Sequence, residues 1–404
     1  MVPKGWEVKT LEELATVVRG KFSARPRNDP KYFGGDIPFV QTGDIAAAKT
    51  FLKEYSQTLN EDGLKVSRLF SKDIILITIA ANIGDTAITL FDVACPDSLV
   101  AIQPNEYTDC FWLNSYLMIC KEELNNQATQ NAQKNINLQV LKPLNILTPP
   151  FPEQRKIAKV LVTWDKAIIT TEKLIENSKQ QKKALIQQLL TRKKRFSGFF
   201  CEWKRHSLSD LAYIDKESLG KETPSDFTFK YISLSDANSG VISDKLKIYS
   251  YKSAPSRARR MVQEDDILLA NVRPNLQGFA KITSKHSECI ASTGFSVITP
   301  KQNTSSDYIY HYLFSSHITG QINCLVVGSN YPAINSSDVA GLKIYSPNFQ
   351  EQQKIASALA SADKEIEILK KKHMLLKQEK KALMQQLLTG KRRVKIEQNL
   401  EEAS

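Results

Sequence analysis

Histidine and cysteine are scarce in this chain, and both are scattered. The five histidines (His206, His286, His311, His317, His373) fall into no HExxH or other ligand spacing, and the six cysteines (Cys95, Cys110, Cys120, Cys201, Cys289, Cys324) include no CxxC pair. A zinc finger, a redox motif and a disulfide framework are thereby excluded, and a reducing, cytoplasmic setting fits. Long apolar runs are missing too. The longest, Ile74 to Ala81, is interrupted by Thr78, and the opening Met-Val-Pro-Lys-Gly-Trp-Glu has no apolar signal core, so no membrane segment is expected. No Walker loop, Gly-x-Gly loop or Ser-hydrolase elbow is present, which removes support for ATP hydrolysis, methyl-donor binding and nucleophilic catalysis. The expectation is a non-catalytic chain with no cofactor and no metal.

What is present is size, ordinary globular composition and positive charge. A chain of 404 residues is too long for one core and sufficient for two domains. With 42% hydrophobic, 24% charged and 8% aromatic residues it reads as globular, and its formal charge of +12 creates a field that attracts polyanions.

An internal repeat constrains the architecture more than any local propensity. Lys183-Ala-Leu-Ile-Gln-Gln-Leu-Leu-Thr191 returns as Lys381-Ala-Leu-Met-Gln-Gln-Leu-Leu-Thr389, an offset of 198. The same offset carries Glu153-Gln154 to Glu351-Gln352, Ile157-Ala158 to Ile355-Ala356 and Asp165-Lys166 to Asp363-Lys364. The intervening stretches match weakly: Trp6, Leu11 and Leu14 with Trp203, Leu208 and Leu211; Asp73-Ile-Ile-Leu76 with Asp266-Ile-Leu-Leu269; and the following Asn82 and Gly84 with Asn275 and Gly278. The chain therefore alternates variable, constant, variable, constant.

Within each constant segment apolar residues recur at the alternating four-and-three spacing of a coiled-coil seam. The first seam is Ile157, Leu161, Trp164, Ile168, Ile175, Leu185 and Leu189; the second is Ile355, Leu359, Ile366, Leu369, Leu376, Leu383 and Leu387. Each predicted helix is roughly 58 Å long at 1.5 Å per residue. A single apolar seam needs a partner, and the matching one lies in the same chain. An antiparallel pair is expected, because a two-fold relation between halves turns the helices end for end. Parallel pairing and homodimerisation through these helices remain open alternatives. The basic ends, Arg192-Lys-Lys-Arg195 and Lys391-Arg-Arg-Val-Lys395, read as solvated charge at helix C-termini, with phosphate contact or positioning of the helix ends as the alternatives.

The variable segments mix strand-like runs (Ile74 to Ile79, Ile267 to Leu269, Phe295 to Ile298) with helical stretches near Phe111 to Leu124 and Tyr308 to Ile318. The expected fold class is α+β: two tandem α/β domains separated by a long antiparallel two-helix coiled coil, as a pseudo-two-fold internal repeat. The expected divisions are 1–150 for the first domain, 151–197 for the first helical spacer, 198–348 for the second domain, and 349–404 for the second spacer and tail.

This alternation resembles the specificity subunit of type I restriction-modification enzymes. Its most specific marks are Pro150-Phe-Pro-Glu-Gln154 with Lys156-Ile-Ala158, Phe349-Gln-Glu-Gln-Gln-Lys-Ile-Ala356, and the paired Lys-Ala-Leu-x-Gln-Gln-Leu-Leu-Thr ends. Gly328-Ser-Asn-Tyr-Pro-Ala-Ile334 resembles the family's loop before the last strand, which adds Ser329 and Asn330 as candidate contacts; its counterpart Thr129 to Ile136 lacks the Gly and Pro. The resemblance implies double-stranded DNA as ligand, two DNA adenine methyltransferase subunits docked on this chain, and restriction translocase subunits joining them. Two different modules then read two different half-sites around unspecified bases, with helix length as a ruler.

Arg, Asn and Gln suit base edges, whereas Lys serves mainly phosphates. Candidate contacts in the first module are Arg19, Lys21, Arg25 and Arg27, with Asn82 and Lys134 in later loops. In the second they are Arg257, Arg259 and Arg260, then Arg273, Asn275 and Gln277. Thr148-Pro-Pro-Phe151 suggests the (Asn/Asp)-Pro-Pro-(Tyr/Phe) motif of amino-methyltransferases, but Thr cannot replace the leading acceptor, and the repeat gives Ser346-Pro-Asn-Phe349 at the same place. Both read as linkers entering the long helices. Two rival readings stay open: the specificity subunit of a related enzyme that fuses methylation and cleavage, and a coiled-coil scaffold that binds no DNA.

Overall fold

Beyond its first turn, each constant segment lacks Pro and Gly and forms one uninterrupted helix, Phe151–Leu190 and Phe349–Leu387, of 40 and 39 residues. The computed structural model describes residues 2–80, 82–128, 135–238, 240–326 and 332–395. The chain divides into two units: residues up to Thr171 together with those from Lys372 onward, and Glu172–Lys371. Each unit thus holds one variable segment and half of each long helix.

The first unit begins with Glu7–Thr10 paired antiparallel to Asn145–Thr148. A five-stranded sheet follows in the order Ala15–Arg19, Leu99–Pro104, Ile75–Thr78, Thr86–Thr89, Phe51–Leu52, and a four-stranded sheet in the order Gln57–Leu59, Phe33–Phe39, Val93–Ala94, Leu69–Phe70. The second unit repeats the plan. Lys204–Ser207 pairs with Lys343–Ser346; Ala212–Ile214, Phe295–Pro300, Ile267–Ala270 and Phe279–Lys281 form one sheet; and Lys247–Ser250, Thr228–Ile232, Ile290–Ser292 and Ala258–Met261 form the other. A parallel pair recurs, Phe33–Phe39 with Val93–Ala94 and Thr228–Ile232 with Ile290–Ser292, while the first unit adds a second, Phe51–Leu52 with Thr86–Thr89, on a fifth strand that the matching four-stranded sheet does not have. The repeat visible in the constant segments therefore extends to the strand order of the variable ones. Each expected variable-segment helix is two: Cys110–Ile119 and Lys121–Gln127, then Ser306–Leu313 and Ser316–Leu325, where Ser315 caps the second by accepting from Ile318 N.

The long-helix segments pair within each unit, and the pairing is antiparallel. In the first unit Asp165 bonds Lys380 and Glu153 bonds Arg393, so residue numbers rise on one helix as they fall along the other. In the second, Ser178 bonds Glu365, Lys182 bonds Asp363 and Arg195 bonds Glu351. Among the seam residues Ile157, Leu161, Ile168, Ile175, Leu189, Ile355, Leu359, Ile366 and Leu387 are buried, and Trp164, Leu185, Leu369, Leu376 and Leu383 are half-buried. The seam is not purely apolar. Buried Thr171 and Ser178 and half-buried Lys182 and Lys380 also lie on it, and each lysine is matched by the aspartate that the repeat places opposite.

The Glu-Gln pair at the start of each long helix joins helix to domain. Glu153, 1% exposed at its side chain, receives Arg393 through Nε and Nη2, both at 2.7 Å, and the Trp6 indole N–H at 3.0 Å. Gln154 accepts from Asp109 N at 2.9 Å and donates to Pro149 O at 3.0 Å. In the second unit Glu351 receives Arg195 at 2.9 and 2.7 Å, while Gln352 accepts from Ser305 N at 2.9 Å and donates to Pro347 O at 3.0 Å. The reading of the basic helix ends as solvated charge is corrected here for Arg195 and Arg393. A carboxylate buried at a helix start must be paired, and the arginine beyond the other helix's end satisfies it with a two-pronged bond. The two clamps differ in one donor: Trp203 Nε1 is buried and unpartnered, where Trp6 donates.

Removing one partner of a fully buried pair costs about 3–5 kcal/mol, and water can replace part of an arginine whose side chain is 42% exposed. Arg393→Ala is therefore expected to destabilise the first unit by about 1–3 kcal/mol in denaturant unfolding. Trp6→Phe, which removes one donor to Glu153, should cost about 1–2 kcal/mol, while Trp203→Phe should cost clearly less. Equal losses at the two tryptophans would contradict the asymmetry.

Candidate nucleic-acid interface

In each unit several of the candidate residues flank one turn, the link between an interior strand of one sheet and an interior strand of the other. In the first unit the turn is Pro96–Ser98. Gly20 N and Lys21 N donate to Leu99 O and Cys95 O, both at 2.9 Å, and Ile79 N donates to Ser98 O at 3.0 Å. Arg19 Nε reaches the carbonyl of Asp97 at 2.6 Å, and Arg27 Nη2 its carboxylate at 2.9 Å. Asp97 thus holds two exposed guanidinium groups beside one another. Gly20 makes this approach possible, since a Cβ there would lie 2.2 Å from Pro96 O. Burial pushes the Cys95 thiol up to about 12, so it is inert packing under the turn.

Arg25, Lys21 and Asn82 are exposed as well. Arg25 bends back onto Ala24 O at 2.7 Å, and Asn82 lies on the turn between strands Ile75–Thr78 and Thr86–Thr89, where its carbonyl accepts from Asp85 N at 3.4 Å. Exposed Arg68, which sequence reasoning passed over, donates to Arg19 O at 3.5 Å and so joins the cluster. It stands alone in sequence, and the pairing of Leu69–Phe70 with Val93–Ala94, with the bridge between Phe22 and Ser67, brings it to the turn.

In the second unit the corresponding turn is Thr293–Gly294. Thr293 N donates to Arg257 O at 2.7 Å and Asn271 N to Gly294 O at 2.8 Å, so the arginine cluster and the loop carrying Arg273, Asn275 and Gln277 flank the same turn. The three arginines separate in role. Arg257 is exposed; Arg259 lies over the Tyr251 ring, 4.6 Å from its centroid; Arg260 is committed to Asp215 at 2.7 Å. Arg260 therefore positions its strand, leaving Arg257 and Arg259 for an anion or a base edge. Arg273 and Gln277 both have left-handed backbones, φ 49° and 51°, on either side of a single turn Pro274–Leu276. Such residues cost about 1–2 kcal/mol each and persist only where the surroundings enforce them. Here Arg273 N is tied to Pro332 O at 2.7 Å, and Val272 bridges Ala333. Lys134, Ser329 and Asn330 lie outside the described residues.

Among the described residues no group of three or more His, Cys, Asp or Glu side chains could hold a metal ion, and no helix is long and apolar enough to cross a membrane. What the two turns offer is exposed guanidinium, amide and amine donors on preformed backbone, an arrangement that suits hydrogen bonding to a polyanion and its bases.

The family model for the type I restriction modification DNA specificity domain matches residues 3–179 and again 201–378. The chain belongs to that family and carries two of its domains in tandem. It is similar to the type I restriction enzyme MjaVIII specificity subunit of Methanocaldococcus jannaschii, with 25% identity over 419 residues, 98% of this chain and 94% of the relative. The type I restriction enzyme HindI specificity subunit of Haemophilus influenzae matches at 25% identity over 190 residues, 45% of this chain and 40% of that one. Among solved structures, a chain from work on complex assembly and conformational transition of the type I R-M system shares the fold with a TM-score of 0.61 at 15% identity, covering 96% of this chain and 98% of that one. The type I restriction-modification S subunit from M. genitalium does so with a TM-score of 0.56 at 15% identity, covering 96% of each.

Because a methyl group at position 20 meets backbone and not a yielding side chain, Gly20→Ala is expected to displace the Pro96–Ser98 turn and destabilise the first unit by about 1–3 kcal/mol. Thermal unfolding reads this. An unchanged transition would mean that the turn is not held by that contact.

Proposed function

We propose that this chain is the DNA-reading subunit of a type I restriction-modification complex, with one unit reading each half of a split, asymmetric target. The observation that carries the reading is the recurrence, in two units of one topology, of a turn flanked by donor-rich side chains that differ between the units: Arg19, Lys21, Arg27 and Arg68 in one, Arg257, Arg259, Arg273, Asn275 and Gln277 in the other. Shared scaffolding with divergent contacts supports two half-sites of different sequence. Arginine and amide side chains supply base discrimination, and lysine supplies phosphate affinity. Arg25, Asn82, Lys134, Ser329 and Asn330 are assigned to the same contact surfaces.

Methylation and cleavage come from partners in this proposal: two DNA adenine methyltransferase subunits and restriction translocase subunits dock on the chain. The domains run over 1–150 and 198–348, with the first helical spacer over 151–197 and the second spacer and C-terminal tail over 349–404, and the complex works in the cytoplasm, where the six cysteines stay reduced.

The test is a map of methylated adenines across the genome with and without this gene. One split motif, gained or lost as a unit, is expected; scattered or unchanged methylation overturns the reading. With that motif as probe and the methyltransferase present, Arg259→Ala should cost about 1–3 kcal/mol of binding only where the second half-site is intact. Lys21→Ala should weaken all duplexes alike and reduce the slope of log affinity against log salt by about one.

A further inference from the structure

The two equivalent hairpin turns treat their apolar residue in opposite ways. In the first unit Ile83 follows Asn82, is 2% exposed and belongs to the core cluster that also holds Trp112 and Leu117; Gly84, at φ 85°, closes the turn without strain. In the second unit Leu276 follows Asn275 and is 63% exposed. A single exposed leucine is ordinary. This one stands at the tip of a turn bracketed by two left-handed residues, neither of them glycine, and the base of that turn is tied to Gly294 O and Pro332 O. The backbone is held in a costly shape whose result is to keep Leu276 out of the core that its counterpart enters.

We propose that Leu276 is a specificity-determining contact of the second unit, placed against the 5-methyl group of a thymine in the major groove. The proposal rests on the DNA-reading function above. Its neighbours on the tip, Arg273, Asn275 and Gln277, carry donors and acceptors of the kind that match major-groove base edges. The thymine methyl is the apolar feature displayed among those edges, and the minor groove offers none. The inward Ile83 denies the first unit this contact, so the two half-sites differ in kind as well as in sequence.

The test uses the full chain with its methyltransferase partner and a duplex bearing the genomically mapped motif. Each thymine of the second half-site is replaced in turn by uracil, which removes only the methyl group. Wild type should lose about fourfold in affinity at one position, the value of one buried methyl-sized group, and Leu276→Ala should bind more weakly while being indifferent to uracil there. Leu276→Ala binding like wild type, or uracil sensitivity unchanged by the substitution, overturns the proposal. So does weakened assembly with the methyltransferase at unaltered DNA affinity, which would assign Leu276 to a protein interface. Leu276 is exposed, so the variant keeps its fold; thermal unfolding and binding to the intact first half-site verify that. Absence of any mapped motif, or of duplex binding by the wild-type complex, sinks the DNA-reading function itself and is thereby distinct from failure of the leucine contact.

Discussion

A glutamate buried at the start of a helix sets the terms for each unit. Glu153 and Glu351 have almost no exposure at their side chains, and an ion in that position is tolerable only when a cation meets it with good geometry. Arg393 and Arg195 do so with two-pronged bonds, and each comes from just past the end of the opposite helix. The antiparallel direction is therefore written into the charges as well as the seam. The neighbouring Gln154 and Gln352 extend the constraint by binding the caps of helices Cys110–Ile119 and Ser306–Leu313, so a helix end, a helix start and a domain core meet at one point.

With the framework fixed in this way, the domains are free to differ where they read. Four strands of each sheet follow the same order in both, with one shared parallel pair, and in both several candidate contacts flank the turn between two interior strands. The side chains there are unlike. Asp97 organises a pair of guanidinium groups in one unit, whereas in the other a tyrosine ring supports Arg259 and a strained loop presents Leu276. Loops can change without disturbing a core that lies beneath them, which is how one fold comes to carry two contact surfaces.

Much of this architecture was legible in the sequence because it rests on periodicity and repetition. The seam from Ile157 to Leu189 and from Ile355 to Leu387 can be read off the spacing alone, and the offset of 198 identifies the two halves as copies. At the basic ends of the helices only Arg195 and Arg393 depart from solvated charge, and nothing near Arg195 in sequence marks the carboxylate it meets 156 residues further on. Arg68 was invisible for a similar reason: nothing in its neighbourhood marks it, and contacts with residues distant in the chain carry it to Arg19.

The contact surface lies between these extremes. Residue chemistry singled out Arg257, Arg259 and Arg260 together, but packing divides them, one exposed, one stacked on an aromatic ring and one given over to Asp215. Composition, periodicity and repetition determined by themselves that this is a two-fold repeat of α+β domains with helices that need each other. Tertiary structure decided which charges are spent inside and which face outward, and which apolar residue is buried or displayed. Those outcomes depend on partners distant in the chain, and sequence order holds no direct record of who will stand beside whom.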